Sequence, residues 1–258
     1  MINRIDRKWL ELKKQGKKAF IPYITAGYPT LHDTIQQVKI LEESGADIIE
    51  IGIPFSDPIA DGPVLQEVAT ISIKNGFTLS KFWEAMKVIR IQTTIPLVLL
   101  TYYNTIYHTG IECFTHTCKE IGIDGLIIPD LPVEEQEELQ PYLDSALYLI
   151  PLVAPTSKQR MPTILANAKG YVYCISSLGV TGTRSFKDLS SIFFLQEVRK
   201  HTSLPLAIGF GLSTQEDIQY FQPYVDGIIM GTAIVQHFKE GNRSLNFEVF
   251  NKKQENPL

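Results

Sequence analysis

One carboxylate, Glu50, stands in a run of apolar residues that otherwise has the composition of a fully buried strand of a parallel sheet. The run from Ile48 to Ile53 contains only isoleucine and glycine besides this acid. An ionised glutamate in such surroundings is costly unless its pKa rises, and a raised pKa suits a group that gives and takes protons. Glu50 is therefore the first candidate for proton-transfer chemistry.

Two further acids, Asp57 and Asp61, follow within a few residues. Each begins a common turn dipeptide, Asp-Pro or Asp-Gly, so spacing alone favours a turn role for both. Glu50 also has a structural alternative, as half of a buried ion pair. That alternative lacks a partner, because no lysine or arginine falls at the carboxyl end of a predicted strand.

Late in the chain, three glycine-containing turns occupy residues 179–182, 209–211 and 231–232. Glycines let backbone N–H groups approach an anion closely, and a helix that begins near Ala233 would direct its positive end to the same place. The alternative is that these glycines only shape tight turns. Three such turns after the last strands favour a phosphate site.

The residues that are missing restrict the reaction class. A Schiff-base mechanism needs a lysine at the active site, but Lys158 and Lys169 fall in or next to a predicted helix. Cys113, His116 and Cys118 do not share one helix face, and the other histidines are scattered. Without an imine or a metal, a cleaved substrate must itself accept the electrons, and the protein must supply protons.

The composition excludes several functions. The 258 residues are 44% hydrophobic with a net charge of -4, and the basic residues are not massed as nucleic-acid binding requires. Three cysteines form no disulfide framework, which fits a reducing compartment. Since no signal segment or long apolar run is present, we expect a soluble cytoplasmic protein.

The elements that must position these groups alternate between strands and helices, which predicts an α/β fold of the (β/α)8 TIM-barrel type in a single domain, residues 1–258. An extra N-terminal helix at 4–14 and an extra helix at 63–75, after strand 2, are also expected. A doubly wound open sheet is the alternative, but no G-x-G-x-x-G motif follows the first strand. The predicted strands are 20–25, 47–52, 97–101, 125–129, 147–152, 171–176, 206–209 and 227–230, and the other main helices are 34–44, 79–91, 111–121, 134–143, 158–168, 190–201 and 214–221.

In such barrels the reacting groups lie where the strands end, which places Glu50 at the mouth and not in a sealed core. Four strings of residues then resemble the tryptophan synthase alpha chain family: 22–27 (Pro-Tyr-Ile-Thr-Ala-Gly), 50–63, 129–132 (Pro-Asp-Leu-Pro) and 179–182 (Gly-Val-Thr-Gly). The second string is highly specific, since it combines Glu50 with Pro-Phe-Ser-Asp-Pro and Ala-Asp-Gly-Pro. The resemblance extends from about residue 20 to residue 238.

The resemblance implies a lyase that splits indole-3-glycerol phosphate into indole and glyceraldehyde 3-phosphate. Protonation of the indole ring at C3 then provides the missing electron acceptor. By the resemblance, Glu50 is the catalytic acid and base, and Asp61, ionised on a polar loop, hydrogen bonds to the indole N–H. The remaining implied substrate contacts are Tyr23, Leu100, Tyr102, Tyr173, Thr181, Gly182, Gly209, Phe210, Gly211, Gly231 and Thr232.

The resemblance also implies a partner, a β subunit that uses pyridoxal phosphate to join indole to serine, in an α2β2 heterotetramer. No cofactor is implied for this chain and no metal is expected. Asp57, Asn104 and Pro132 match the face that meets the partner, although each suits a turn equally well. Residues 181–188 have the composition of a mobile lid. Tyr28 and Ser177 differ from the residues common in the family, and these differences bear on how that lid closes.

Two other functions compete with the lyase. A phosphate-binding barrel of this size could be a sugar-phosphate isomerase or epimerase, but the combination of Glu50 with Asp61 argues against it. A non-catalytic partner that only activates a β subunit is the second alternative. Retention of both acids, Tyr173 and the glycines argues against that function.

Overall fold

The computed structural model describes residues 2–175, 189–209, 212, 215–242 and 244. Its strands are parallel and form one sheet in the order β5-β4-β3-β2-β1-β9-β8-β7-β6. They are β1 Ala19–Thr25, β2 Ile49–Gly52, β3 Leu97–Leu100, β4 Gly125–Ile127, β5 Tyr148–Leu149, β6 Leu152–Val153, β7 Val172–Ile175, β8 Leu206–Gly209 and β9 Gly227–Met230.

The sheet closes because β5 and β6 are two halves of one extended stretch. The Ile150 N–H donates to the carbonyl of Leu126 in β4 at 2.8 Å, and the Tyr173 N–H of β7 donates to the carbonyl of Pro151 at 2.9 Å. Pro151 itself has no N–H to donate, and the assigned strand is interrupted there. The predicted eight-stranded barrel is confirmed, with its fifth strand divided at this proline.

Helices surround the barrel, and both predicted extra helices are confirmed. The first precedes β1, and two helices lie between β2 and β3. The described helices are α1 Arg4–Gln15, α2 Leu31–Glu43, α3 Pro63–Lys74, α4 Leu79–Gln92, α5 Tyr103–Thr109, α6 Ile111–Ile121, α7 Met161–Leu165, α8 Leu189–His201, α9 Gln215–Phe221 and α10 Thr232–Lys239. None of these helices combines the length and the apolar composition that a membrane crossing requires.

The helix predicted at 134–143 is wrong. This stretch contains only two short 3-10 turns, Val133–Glu135 and Gln140–Tyr142. Pro141 lies within the second turn and removes a helical hydrogen bond, while four glutamates between residues 134 and 138 place like charges side by side. Helix α7 is likewise shorter than predicted, and α5 was not predicted.

Helix α1 closes the floor of the barrel, at the amino ends of the strands. Its side chains Ile5 and Trp9 are buried within the inner core. Glycines in the floor strands make room for them, since a Cβ on Gly227 would come within 2.8 Å of the Trp9 ring and one on Gly125 within 3.1 Å of Ile5. The opposite end of the barrel, where the carboxyl ends of the strands lie, is therefore the end available for an active site.

Candidate active site

Glu50 lies on β2 and faces the barrel interior. Its neighbours in register are Tyr23 on β1 and Val98 on β3. Glu50 lies two residues before the carboxyl end of β2, towards the mouth, but its side chain is not exposed to solvent, so the prediction that it lies outside a sealed core is wrong. The buried rings of Tyr23 on β1 and Tyr173 on β7 lie near the Glu50 carboxyl, since its charge contributes to the raised pKa of both.

The Glu50 carboxyl has a single described hydrogen-bond partner. The Tyr171 hydroxyl donates to Oε1 at 3.0 Å, and no described residue bonds to Oε2. Burial raises the pKa of Glu50 to about 8, and the Tyr171 hydrogen bond offsets only part of that rise. Glu50 is therefore largely protonated at neutral pH and can donate a proton.

The sequence prediction missed Tyr171. It faces the barrel interior together with Tyr173, two residues along, because alternate residues of a strand point the same way. This alternation could have predicted from the sequence that Tyr171 faces the same interior as Tyr173. Burial, followed by the nearby Glu50 charge, raises the pKa of Tyr173 well above its ordinary value, so Tyr173 lies close to Glu50.

Asp61 lies on the loop between β2 and α3, immediately before Gly62, which caps α3. The loop exposes Ser56, Asp57 and Ile59, as predicted for a polar loop, but Asp61 itself is partly buried, and this burial raises the pKa of Asp61 to about 6. The Tyr102 hydroxyl hydrogen bonds to the carboxylate and lowers that pKa in part. It also accepts from the Ala60 N–H at 3.0 Å. Asp61 is thus mainly ionised at neutral pH, with Tyr102 fixing its loop.

An aromatic pocket surrounds the two acids. Tyr102 stacks on Phe55 with ring centroids 5.1 Å apart, and Leu100 is partly exposed beside it. The Asp61 charge raises the pKa of both Tyr23 and Tyr102 after burial, so both hydroxyls lie close to that carboxylate. The structure therefore brings together Glu50, Asp61, Tyr23, Leu100, Tyr102 and Tyr173.

The described part of the predicted phosphate region lies at the ends of β8 and β9. Gly209 ends β8, Gly231 caps α10 and Thr232 is its first residue. The first N–H groups of α10 have no carbonyl earlier in the helix to bond, which leaves them available to an anion. Thr181, Gly182, Phe210, Gly211, Ser177 and the predicted lid at 181–188 lie outside the described residues.

The three residues predicted to meet a partner, Asp57, Asn104 and Pro132, are all exposed. They lie on loops or helix starts that follow β2, β3 and β4, at the same end of the barrel as the acids. Two large apolar side chains on those segments, Ile59 and Tyr107, are 80% and 64% exposed. This end of the barrel therefore presents apolar as well as polar groups to solvent.

Neither acid has a cation beside it within the described ranges, and the described residues contain no group of His, Cys, Asp and Glu that could hold a metal. Cys113 is exposed and Cys118 buried, so they do not face one site. The described part of this site therefore offers two carboxyl groups and the phenols around them.

Comparisons with known proteins agree with this geometry. The family model described as "Tryptophan synthase alpha chain" matches residues 9–256. A tryptophan synthase alpha chain of Thermoanaerobacter sp. (strain X514) is 46% identical over 241 residues, covering 93% of this chain and 92% of the relative. One of Clostridium beijerinckii is 42% identical over 246 residues, covering 95% of each.

Solved structures give the same result. Tryptophan synthase subunit alpha from Legionella pneumophila str. Paris superposes with a TM-score of 0.85 at 33% identity, covering 93% of this chain and 90% of that one. A chain of Mycobacterium tuberculosis tryptophan synthase superposes with a TM-score of 0.86 at 28% identity, covering 93% of both chains.

Proposed function

The chain belongs to the tryptophan synthase alpha chain family, and on that premise we propose that Glu50 and Asp61 carry the family's reaction. The reaction is the cleavage of a carbon–carbon bond in indole-3-glycerol phosphate, which yields indole and glyceraldehyde 3-phosphate in tryptophan biosynthesis. The single observation that carries the assignment is a fully buried carboxyl group with no cation beside it among the described residues.

Glu50 acts first as an acid. Because its pKa is about 8, it holds a proton at neutral pH and can deliver it to C3 of the indole ring. The protonated ring then accepts the electron pair of the breaking bond between C3 and the glycerol carbon. The resulting Glu50 carboxylate takes the proton of the adjacent glycerol hydroxyl, which becomes the aldehyde, so no net proton is gained or lost.

Asp61 stabilises the charge that this protonation creates. A carboxylate that accepts the indole N–H favours the positive ring over the neutral substrate, which lowers the barrier and not merely the binding energy. The Tyr102 hydrogen bond to Asp61 supports the ionised form. Tyr23, Leu100, Tyr102 and Tyr173 would enclose the ring during this step.

We assign the substrate phosphate to the first turn of α10 and to the neighbouring glycines. Gly231 and Thr232 would bind it through backbone N–H groups, with Gly209 beside them and Thr181, Gly182, Phe210 and Gly211 completing the contacts. Dianionic phosphate suits a helix N-terminus because the backbone supplies both donors and partial positive charge.

The family implies a β subunit as partner. We propose an α2β2 assembly in which Asp57, Asn104 and Pro132 contact that subunit, supported by their exposure at the end where indole would leave. We also propose that this chain works in the cytoplasm without a cofactor of its own. Pyridoxal phosphate would belong to the partner, where it would join indole to L-serine.

The test is indole formation from indole-3-glycerol phosphate by the full chain, alone and with a β subunit. Glu50→Gln should lower the rate by about 10³-fold or more, because amide nitrogen and oxygen cannot replace a general acid. Circular dichroism and phosphate binding should remain those of the wild type. Near-normal turnover by the variant would remove Glu50 from the mechanism.

Glu138→Gln is the matched control. Glu138 also accepts a hydrogen bond from a tyrosine, Tyr103, but it is exposed. Its substitution should leave indole formation unchanged. If the wild type converts a sugar phosphate and forms no indole under any condition, the isomerase alternative replaces the lyase.

A further inference from the structure

Asp130 belongs to the Pro-Asp-Leu-Pro string at residues 129–132, and the mechanism proposed above gives it no role. It follows β4 at the mouth of the barrel and is partly buried. Its Oδ1 accepts a hydrogen bond from the N–H of Tyr103, the first residue of α5, at 2.8 Å. Asp130 therefore ties the loop after β4 to the start of the helix that follows β3.

This hydrogen bond caps α5 from a different loop. Tyr102 stands at the N-cap position of α5, and its side chain makes no cap hydrogen bond. The first N–H groups of a helix have no carbonyl partner within the helix, so the Tyr103 N–H needs an acceptor from elsewhere. The Tyr102 carbonyl in turn accepts the Thr105 N–H at 3.0 Å. Two hydrogen bonds thus fix the backbone on the carboxyl side of Tyr102.

The Tyr102 side chain extends from this point to the loop after β2. Tyr102 is buried, and its ring stacks on Phe55 with centroids 5.1 Å apart. Its hydroxyl accepts from the Ala60 N–H at 3.0 Å and hydrogen bonds to the Asp61 carboxylate. A stacked, buried ring has little room to compensate for a backbone shift. Movement of the start of α5 would therefore move the phenol that bonds to Asp61.

We propose that Asp130 is a positioning residue for Asp61 and acts through Tyr102. By accepting the Tyr103 N–H, Asp130 fixes the place of the Tyr102 phenol. That phenol orients the Asp61 carboxylate towards the ring N–H of the substrate. This inference rests on the role proposed above for Asp61, and it requires no contact between Asp130 and the substrate. It links the loops after β2, β3 and β4 in series.

Asp130→Ala removes the acceptor. Because Tyr102 is then less well placed, kcat for indole formation should fall by about tenfold with little change in KM. The acid limb of the pH profile should move to higher pH, since the Tyr102 hydrogen bond lowers the pKa of Asp61 and the ionised form is the active one. Asp130→Asn keeps an oxygen that can accept the N–H, so it should restore most of the activity and the wild-type limb.

The acid limb follows Asp61 because the other described ionisable groups around that carboxylate do not titrate there. Burial raises the pKa of Tyr23, Tyr102 and Tyr173 above the ordinary value of a phenol, so all three stay protonated. Glu50, with a pKa of about 8, is also protonated at acid pH. Among the described residues, no cation contributes to the pKa of Asp61.

Tyr103→Pro removes the donor of the same hydrogen bond. Proline is favoured at the first position of a helix, and Tyr102 already has the extended backbone, φ -86° and ψ 145°, that proline requires of the residue before it. Tyr103→Ala is the matched variant, since it loses the same ring but keeps the N–H. Relative to Tyr103→Ala, Tyr103→Pro should show the loss of kcat and the shift of the acid limb expected for Asp130→Ala.

A double-mutant cycle tests whether Asp130 acts through Tyr102. In the Tyr102→Phe background, Asp130→Ala should cause little further loss, because the hydroxyl that it positions is gone. Asp144→Ala is the control. Asp144 also accepts a backbone N–H, that of Ala146 at 2.7 Å, but it precedes β5 at the floor of the barrel. This control should keep the wild-type profile.

A direct readout does not depend on activity. Carboxyl ¹³C NMR of the full chain without substrate should give a higher pKa for Asp61 in Asp130→Ala than in the wild type. Any one of three results overturns the proposal: an unchanged Asp61 titration, an Asp130→Asn variant as impaired as Asp130→Ala, or an undiminished loss in the Tyr102→Phe background. Absence of indole formation by the wild type would instead contradict the proposed function, while the titration still decides whether Asp130 acts on Asp61.

Discussion

The buried carboxylates at the two ends of the barrel differ in the groups that compensate their charge. At the floor, Asp124 lies between Arg4 and Arg90, at 2.9 Å and 3.3 Å, and also accepts the Leu97 N–H at 2.9 Å. At the mouth, Glu50 is buried as completely, but among the described residues it receives only the Tyr171 phenol. Burial raises the pKa of both acids, and within the described part of the chain cations and a backbone amide oppose that rise at Asp124 but not at Glu50.

One part of this floor arrangement, the aspartate that accepts a backbone N–H, occurs three times among the described residues. In each case an aspartate one or two residues before a strand accepts a hydrogen bond from a backbone N–H near the start of the previous strand. The N···O distance is 2.9 Å in all three. This repetition marks a structural device, since it ties neighbouring strands together wherever it occurs. The pairs are Asp47 with Phe20, Asp124 with Leu97, and Asp226 with Leu206.

The difference distinguishes structural from reactive acids. A carboxylate that is compensated by cations holds the fold and loses its ability to exchange protons near neutral pH. One that is buried without a cation destabilises the fold but acquires a pKa suited to catalysis. The following substitutions test whether the two ends behave in this opposite manner.

The largest effect on activity, after Glu50 itself, is expected at Asp61. Asp61→Asn should lower kcat by about 10²-fold or more, since it removes the negative charge opposite the protonated ring, while substrate still binds. In the wild type, protonation of Asp61 near its pKa of about 6 should reduce activity as the pH falls. Loss of all substrate binding by the variant would mean that Asp61 mainly shapes its loop.

At the floor, Asp124→Asn should destabilise the protein without changing its chemistry. The substitution leaves two guanidinium groups without their buried counter-charge, so the free energy of unfolding should fall by about 3 kcal/mol. Urea denaturation measures this change, and kcat of the folded enzyme should stay normal. Asp144→Asn, which breaks a more exposed pair with Lys119, should cost less than about 1 kcal/mol.

The smallest change is expected for Tyr171→Phe, which removes the described donor to Glu50. Because that donor lowers the pKa of Glu50, its loss should raise the pKa further above about 8. Glu50 must be protonated to act as the acid, so the alkaline limb of the pH profile should move upward while kcat changes by less than about tenfold. Tyr103→Phe, at the exposed Tyr103–Glu138 pair, should leave this limb in place; a downward shift in Tyr171→Phe would contradict the account.

Much of the barrel could be predicted from sequence because its strands are short apolar runs with regular spacing. The prediction failed where local signals conflict. Residues 134–143 have a helical apolar pattern, but Pro141 and adjacent glutamates prevent a regular helix. The fifth strand was found, but its division at Pro151 depends on two different neighbouring strands and is not visible locally.

For the site, the apolar surroundings of Glu50 in the sequence were enough to make it the first candidate. It could not identify Asp61 without the family resemblance, since Asp-Gly is an ordinary turn, and its burial arises from the folded loop and Tyr102. Tyr171 was missed because a tyrosine in a strand usually packs in the core. Its contact with Glu50 joins residues that are 121 positions apart in the chain.

The most direct test of the difference between the two ends of the barrel is whether burial of Glu50 costs stability. It compares the free energy of unfolding of Glu50→Gln with that of the wild type at two pH values. The folded state of the wild type favours protonated Glu50, so stability should fall by about 1.4 kcal/mol per pH unit as the pH rises from the unfolded pKa toward the folded pKa. Those values are 4.5 and about 8. Between pH 5 and pH 9, as measured by urea denaturation, the variant should gain stability relative to the wild type while forming almost no indole. A stability difference that is the same at both pH values, or that grows against the variant at pH 9, would contradict the claim that Glu50 is buried at a cost to the fold for the sake of proton transfer.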